Sequence, residues 1–134
     1  MEILVIDSCS EQEEGEIVKE FQNKFEGIRY IRTDKRENLY KSWNRAIVES
    51  KGEYLTNANT DDRHHPRCIE FLVRSLDENS SRALSYGNLY KSITPNEKFG
   101  SKEESRSCIS QDFFPGSLLL HYPYGAQPLW RKSL

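Results

Sequence analysis

Short apolar runs alternate with amphipathic stretches of helical period from residue 2 to residue 91, and this alternation restricts the fold more than any other feature. Residues 2–6 (EILVI) have strand length and lack polar alternation, which suits a parallel strand covered on both faces. Asp7 closes that run. Ser10, with Glu13 three residues later, makes a capping box; Ile17, Val18, Phe21 and Phe25 then fall on one helical face, and Gly27 ends the helix. Residues 28–31 (IRYI) read as a second strand. After the polar turn TDKREN, a second stripe of Leu39, Trp43, Ala46, Ile47 and Ser50 places Trp43 in the core, with Gly52 as the stop. Tyr54 and Leu55 are the heart of a third strand that runs into NANTDD. Pro66 suits the first turn of a third helix, whose buried face is Cys68, Ile69, Leu72, Val73 and Leu76. Residues 82–91 (RALSYGNLYK) read as a fourth strand, with Tyr86 and Tyr90 as packing residues. The β-α-β-α-β-α-β order predicts a three-layer α/β/α fold with a mostly parallel sheet and right-handed crossovers.

The pattern fails from about residue 92 to 112, where Pro95, Gly100 and the charged cluster KEESR suggest a mobile loop. A short apolar run at 118–120 follows, and the closing WRKSL reads as the opening of another helix. The 134 residues amount to a single domain. A formal net charge of −2 argues against a nucleic-acid binder, which usually carries a basic surplus. No apolar run approaches the ~20 residues of a transmembrane segment. The N-terminal run, bracketed by Glu2 and Asp7, is unlike a secretory signal, so the expected location is cytoplasmic, with room for peripheral attachment to the inner face of a membrane. Cys9, Cys68 and Cys108 are odd in number and lack Cys-x-x-Cys spacing, and we read them as reduced thiols.

Ligands of open α/β sheets sit beyond the carboxyl ends of the strands. Asp7 stands at the end of the first strand, and Asp61 and Asp62 just past the third, so one ligand could touch both places. The glycine-rich phosphate cradles G-x-x-x-x-G-K-[ST] and G-x-G-x-x-G are missing. The remaining route to a phosphate is a hard cation: Mg²⁺ typically takes one or two carboxylates plus phosphate oxygens. An Asp pair suits this, with one carboxylate on the metal and the other on a sugar hydroxyl. The same pair ahead of a helix also reads as a cap, the commoner use of such a pair. Asp7 likewise divides between a turn role and a ligand role, and a Ser10 cap would leave it freer for the second. His64 and His65 read as surface or first-turn residues before metal ligands, and His121 sits in HYPYGAQP, a candidate substrate loop. Arg32, Lys35, Arg36 and Arg45 could neutralise phosphates, Arg36 being favoured by its place just after the second strand.

Taken together, these residues resemble family 2 glycosyltransferases, which have the GT-A fold. ILVIDSCS is similar to the family's strand ending in Asp-Asp-x-Ser. ENLYKSWNRAIVESKGEYL is similar to its Asn-containing helix followed by Gly-Glu-Tyr and a strand. NANTDDRHHP is similar to its Asp-x-Asp region, and SYGNLY and QPLWRKSL are weaker echoes. The resemblance implies a metal-dependent, inverting enzyme that moves a sugar from a nucleotide-diphosphate sugar donor to an acceptor hydroxyl on a glycan, lipid or protein. Carried over by position, it sets Asp7 or Ser8 against the nucleotide base and Arg36 and Asn38 near the base or phosphates. Asp61 would meet the ribose or metal, and Asp62 the metal, Mg²⁺ or Mn²⁺.

Ser8 stands where the family often has a second Asp, and Asn59 where it often has another, a neutral amide being the weaker cation ligand. The family's first strand, with its Pro and Asn, would precede Met1, and its acidic catalytic base would follow Leu134. The resemblance therefore implies a single, partial GT-A-like domain over 1–134. Two rivals stand beside it. One is a shortened non-catalytic relative, a nucleotide-binding module or a homo-oligomer assembled through an exposed sheet edge. The other is a receiver-like phosphoryl-transfer protein with Asp7 as acceptor.

Overall fold

The computed structural model describes residues 1–90, 92, 95–97, 107–108 and 127–133. Most of the expected loop at 92–112, the apolar run at 118–120 and His121 lie outside the described residues. The chain divides into two units, Met1–Glu53 and Tyr54–Leu134.

In the first unit, β1 (Ile3–Asp7) and β2 (Ile28–Arg32) pair in parallel, from Ile3 opposite Ile28 to Asp7 opposite Arg32. Between them lies α1 (Glu14–Gln22), which packs on both strands, and α2 (Leu39–Glu49) packs on β1. The turn into β2 depends on Gly27, at φ +86°, where a Cβ would stand 2.9 Å from the Met1 carbonyl oxygen. Arg29 of β2 ties three pieces together. It donates to the Glu2 carboxylate at 3.1 Å, to the Glu49 carboxylate at 3.1 Å, and to the Glu49 carbonyl at the end of α2 at 2.8 Å.

The capping box does not form. The Ser10 N–H instead donates to Asp7 Oδ1 at 2.7 Å, which binds Ser10 into the strand-end turn, and α1 begins only at Glu14 with no side-chain cap. Glu14 and Glu16 in its first turn offset the helix dipole in place of a cap. The helix ends at Gln22, five residues before the expected stop. Its predicted inner face is open: Ile17, Phe21 and Phe25 are 57, 49 and 58% exposed. Trp43 is exposed as well and packs edge-on against Tyr40 rather than in a core.

The second unit holds the hydrophobic core. β7 (Leu129–Arg131) lies between β3 (Tyr54–Thr56) and β4 (Leu84–Ser85), antiparallel to each. Thus the segment expected to open a helix is the central strand of this sheet. The α/β order holds through β4, but in place of one mostly parallel sheet the strands form separate ones: β1 and β2 a parallel pair, and β3, β7 and β4 an antiparallel sheet. α3 (Cys68–Asp77) packs over β4 and β7. Leu72, Leu76 and Leu129 form the buried cluster, with Tyr54, Cys68 and Val73 against it, as the helical period predicts for α3. Arg131 secures this packing with three donors: to the Leu76 carbonyl at 2.6 Å, the Arg82 carbonyl at 3.0 Å and the Tyr54 hydroxyl at 3.1 Å.

The expected fourth strand is two short ones. β4 pairs with β7, whereas β5 (Leu89–Tyr90) pairs antiparallel with β6 (Ser107–Cys108), so the chain changes sheets across 86–88. Tyr90, predicted to pack, is half exposed.

Candidate functional site

Thr56, the last residue of β3, sits opposite Leu129, the first of β7. Because these strands are antiparallel, the chain leaving β3 and the chain entering β7 meet at the same end of the sheet. The departing chain carries Asn57, Asn59, Asp61 and Asp62; the arriving chain carries Gln127. Their side chains form a relay. Asn57 Nδ2 donates to Asn59 Oδ1 at 3.1 Å, and Asn59 Nδ2 donates to Asp62 Oδ2 at 2.8 Å. Gln127 Nε2 donates to the same Asp62 Oδ2 at 3.1 Å. Asp62 is thus held by two neutral amides on one oxygen, and nothing among the described residues donates to Oδ1. The Asp62 N–H closes the turn on the Asn59 carbonyl at 3.3 Å.

Asp61 is exposed and no described residue donates to its carboxylate. Neither Asp caps α3. That helix starts at Cys68 behind Arg67, with no side-chain cap bond, so the helix-cap reading of the pair fails. The turn ahead of α3 uses His65, whose Nδ1 accepts from the Arg67 N–H at 3.2 Å and whose carbonyl accepts from Cys68 N–H at 2.8 Å. Burial pushes the His64 imidazole below its ordinary value, and the Asp62 charge only partly opposes this. Arg63 extends away from the pair to the 95–97 turn, donating to the Asn96 side-chain oxygen at 2.8 Å.

In the first unit, Asp7 is 6% exposed and its carboxylate is fully engaged. Oδ1 accepts from Ser10 N–H, and Oδ2 accepts from the Tyr30 hydroxyl and from Arg32 Nη1 at 2.8 Å. Burial works to raise this carboxyl, but the bonds from Tyr30 and Ser10 and the Arg32 charge outweigh it and hold it at about 2, against an ordinary 3.8. An acceptor aspartate for phosphoryl transfer needs an accessible oxygen, so that rival loses its residue. Ser8 Oγ accepts from the Glu37 N–H and donates to the Glu37 carbonyl at 2.9 Å, pinning the end of β1 to the approach of α2. Asn38 is the N-cap of α2, its Oδ1 accepting from Lys41 N–H at 3.0 Å.

Of the four basic residues, Arg32 is spent on Asp7 and Arg45 on Glu37 at 2.5 Å. Lys35 and Arg36 are exposed, with no ion-pair partner among the described residues. Cys9 and Cys68 are free thiols, as expected. Tyr30 and Gln127 were given no site role by sequence reasoning. Tyr30 reads as one apolar position of a strand; Gln127 lies in HYPYGAQP and opens QPLWRKSL, but neither segment pairs it with Asp62, 65 residues away.

The loop after β3 therefore offers one unengaged carboxylate beside one oriented carboxylate. Among the described residues, no group of three or more His, Cys, Asp or Glu side chains gathers to form a closed metal cage. No helix among them is long and apolar enough to cross a membrane.

The sequence model of glycosyl transferase family 2 matches residues 1–134, so this chain belongs to that family, and the family carries the GT-A fold. The chain is 27% identical over 128 residues to an uncharacterized glycosyltransferase of Methanocaldococcus jannaschii, a match covering 89% of this chain and 42% of that protein. It is 28% identical over 90 residues to glycosyltransferase GlyG of Streptococcus pneumoniae, covering 67% of this chain and 30% of that protein. The chain thus spans less than half the length of these curated relatives.

Proposed function

We propose that this protein transfers a sugar from a nucleotide-diphosphate sugar donor to an acceptor hydroxyl, with inversion, and that the turn from Asn59 to Asp62 receives the donor's diphosphate through Mg²⁺ or Mn²⁺. The observation that carries this reading is the pair of carboxylates past β3: Asp61 is open, Asp62 presents Oδ1, and neither serves the following helix. The residues suit a hard cation. Two carboxylates with one or two open oxygens match Mg²⁺, which fills its remaining positions with water and phosphate. Asn59 is no ligand, since its oxygen accepts from Asn57 and its amide faces Asp62. A bound divalent cation supplies charge stabilisation on the leaving diphosphate.

Asp61 serves the ribose or the metal, and Asp62 the metal. By the family resemblance alone, Arg36 is assigned to a donor phosphate and Asn38 to the nucleotide, and both are exposed within the first unit. Asp7 and Ser8 contribute by holding the β1 turn, because their side-chain oxygens are already bonded. No described residue is assigned as the catalytic base; that group deprotonates the acceptor hydroxyl as it attacks the anomeric carbon and the bond to the diphosphate breaks.

Calorimetric titration of the chain with UDP, GDP, CDP and ADP, with and without Mn²⁺, tests the reading. One nucleotide should bind only with the metal, and Asp62→Ala should abolish binding while leaving the melting curve unchanged, since Asp62 caps no helix. Binding that survives Asp62→Ala would sink the assignment. No binding by the wild type at millimolar nucleotide would favour the non-catalytic, self-associating relative.

A further inference from the structure

Asp62 accepts both of its amide donors on the same oxygen, and the second donor comes from a distant part of the chain. Gln127 Nε2 reaches Oδ2 at 3.1 Å, beside Asn59 Nδ2 at 2.8 Å. Its backbone is well anchored. The next two residues, Pro128 and Leu129, are buried, and Leu129, 2% exposed, is the first residue of the strand inserted between β3 and β4. Gln127 thus approaches Asp62 from the sheet itself rather than from the turn that carries Asp62.

We propose that Gln127 is a positioning residue, and that with Asn59 it forms an amide clamp which makes Asp62 a one-oxygen ligand and biases the donor site toward Mg²⁺ and Mn²⁺ over Ca²⁺. This rests on the donor-site reading above. Both clamp donors are neutral, so the carboxylate keeps its full charge for a cation, which a lysine or arginine in the same place would offset. Both sit on Oδ2, so a cation meets Oδ1 alone. Mg²⁺ takes carboxylates one oxygen at a time in a near-octahedral shell, whereas Ca²⁺ uses six to eight oxygens and often both oxygens of a carboxylate. Closing one oxygen removes an option that favours the larger ion. Fixing the side chain's rotation in advance also lowers the ordering cost of binding.

The test compares Mn²⁺ and Ca²⁺ affinities of the full chain in the presence of UDP, GDP, CDP and ADP, each separately. Mn²⁺ is read by loss of the free-ion EPR signal and Ca²⁺ by competition. Gln127→Met keeps the side-chain length and removes the donor; Asn59→Ala removes the other half of the clamp. Loss of an outer hydrogen-bond partner typically weakens metal binding by about 10-fold or more. Gln127→Met should lose about that factor for Mn²⁺ and much less for Ca²⁺, so that the Mn²⁺ preference falls, with the melting curve unchanged. A merely structural role would weaken both ions together and leave their ratio intact; an unchanged ratio overturns the clamp. If Gln127→Met unfolds, Asn59→Ala is read instead by the same criterion. Wild-type chain that binds neither cation with any of the four nucleotides overturns the donor-site reading, whereas wild-type binding with an unchanged Gln127→Met ratio overturns the clamp alone.

Discussion

Replacing Asp7 by Asn should destabilise the first unit in a manner that depends on pH in a stated direction. In the native protein the Asp7 carboxylate accepts from Ser10 N–H, the Tyr30 hydroxyl and the Arg32 guanidinium, and is held at about 2 rather than 3.8. Because the folded value lies below the unfolded one, the stabilisation is fully present above about pH 5 and is lost as the pH falls toward 2. A depression of that size corresponds to about 2 kcal/mol at neutral pH. Arg32 is 46% exposed and partly screened, so that figure is a ceiling for the charge interaction. An amide in place of the carboxylate preserves an acceptor for Ser10 but turns an N–H₂ toward Arg32, which leaves donors facing each other and adds a penalty of about 1 kcal/mol at any pH.

The assay is urea unfolding followed by tryptophan fluorescence in a Trp130→Phe background, so that Trp43 reports the first unit. The stability gap between the parent and the Asp7→Asn variant should be about 2–3 kcal/mol at pH 6.5 and should shrink by about 1 kcal/mol at pH 3. Other carboxylates titrate in both proteins, so only the difference is diagnostic. A gap that does not change between these pH values would refute the argument, because it would mean that the carboxylate charge contributes nothing to the fold.

Two further outcomes check the packing and the cap. Leu76→Ala removes a completely buried side chain from the cluster with Leu72 and Leu129, and should cost about 3 kcal/mol in a urea melt followed by Trp130 fluorescence in a Trp43→Phe background. Asn38→Ala should cost about 1 kcal/mol and Asn38→Ser only a few tenths, because serine keeps the acceptor for Lys41 N–H; equal losses would deny Asn38 its capping role.

The readable parts of this protein were those written in local periods and flanking residues. The face of α3 follows from the spacing of Cys68, Leu72, Val73 and Leu76, and it packs as that spacing predicts. The family could be read from three motifs, and the match over the whole chain supports it. Trp43 and the Phe21 face were misplaced because a stripe of helical period says that a face is apolar, not that this unit has anything to lay on it. The capping box failed for a different reason. Ser10 was the right residue type, but Asp7, three positions earlier, took its N–H first. β7 was missed because three residues are too few to show a period, and Leu-Trp-Arg suits a helix as readily as a strand.

The sequence by itself determined the order of elements as far as β4, the carboxylates past β3 and the family to which the chain belongs, since each is a property of neighbouring residues. Only the tertiary structure decided what those carboxylates do with their oxygens. It closed Asp7 with Tyr30 and Arg32, freed Asp61 and Asp62 from helix capping, and brought Gln127 to Asp62 across 65 positions. The physical reason is that hydrogen-bond partners are chosen by strand pairing. An antiparallel strand returning between β3 and β4 carries its first residues to the place where β3 ends, and no local pattern encodes that meeting.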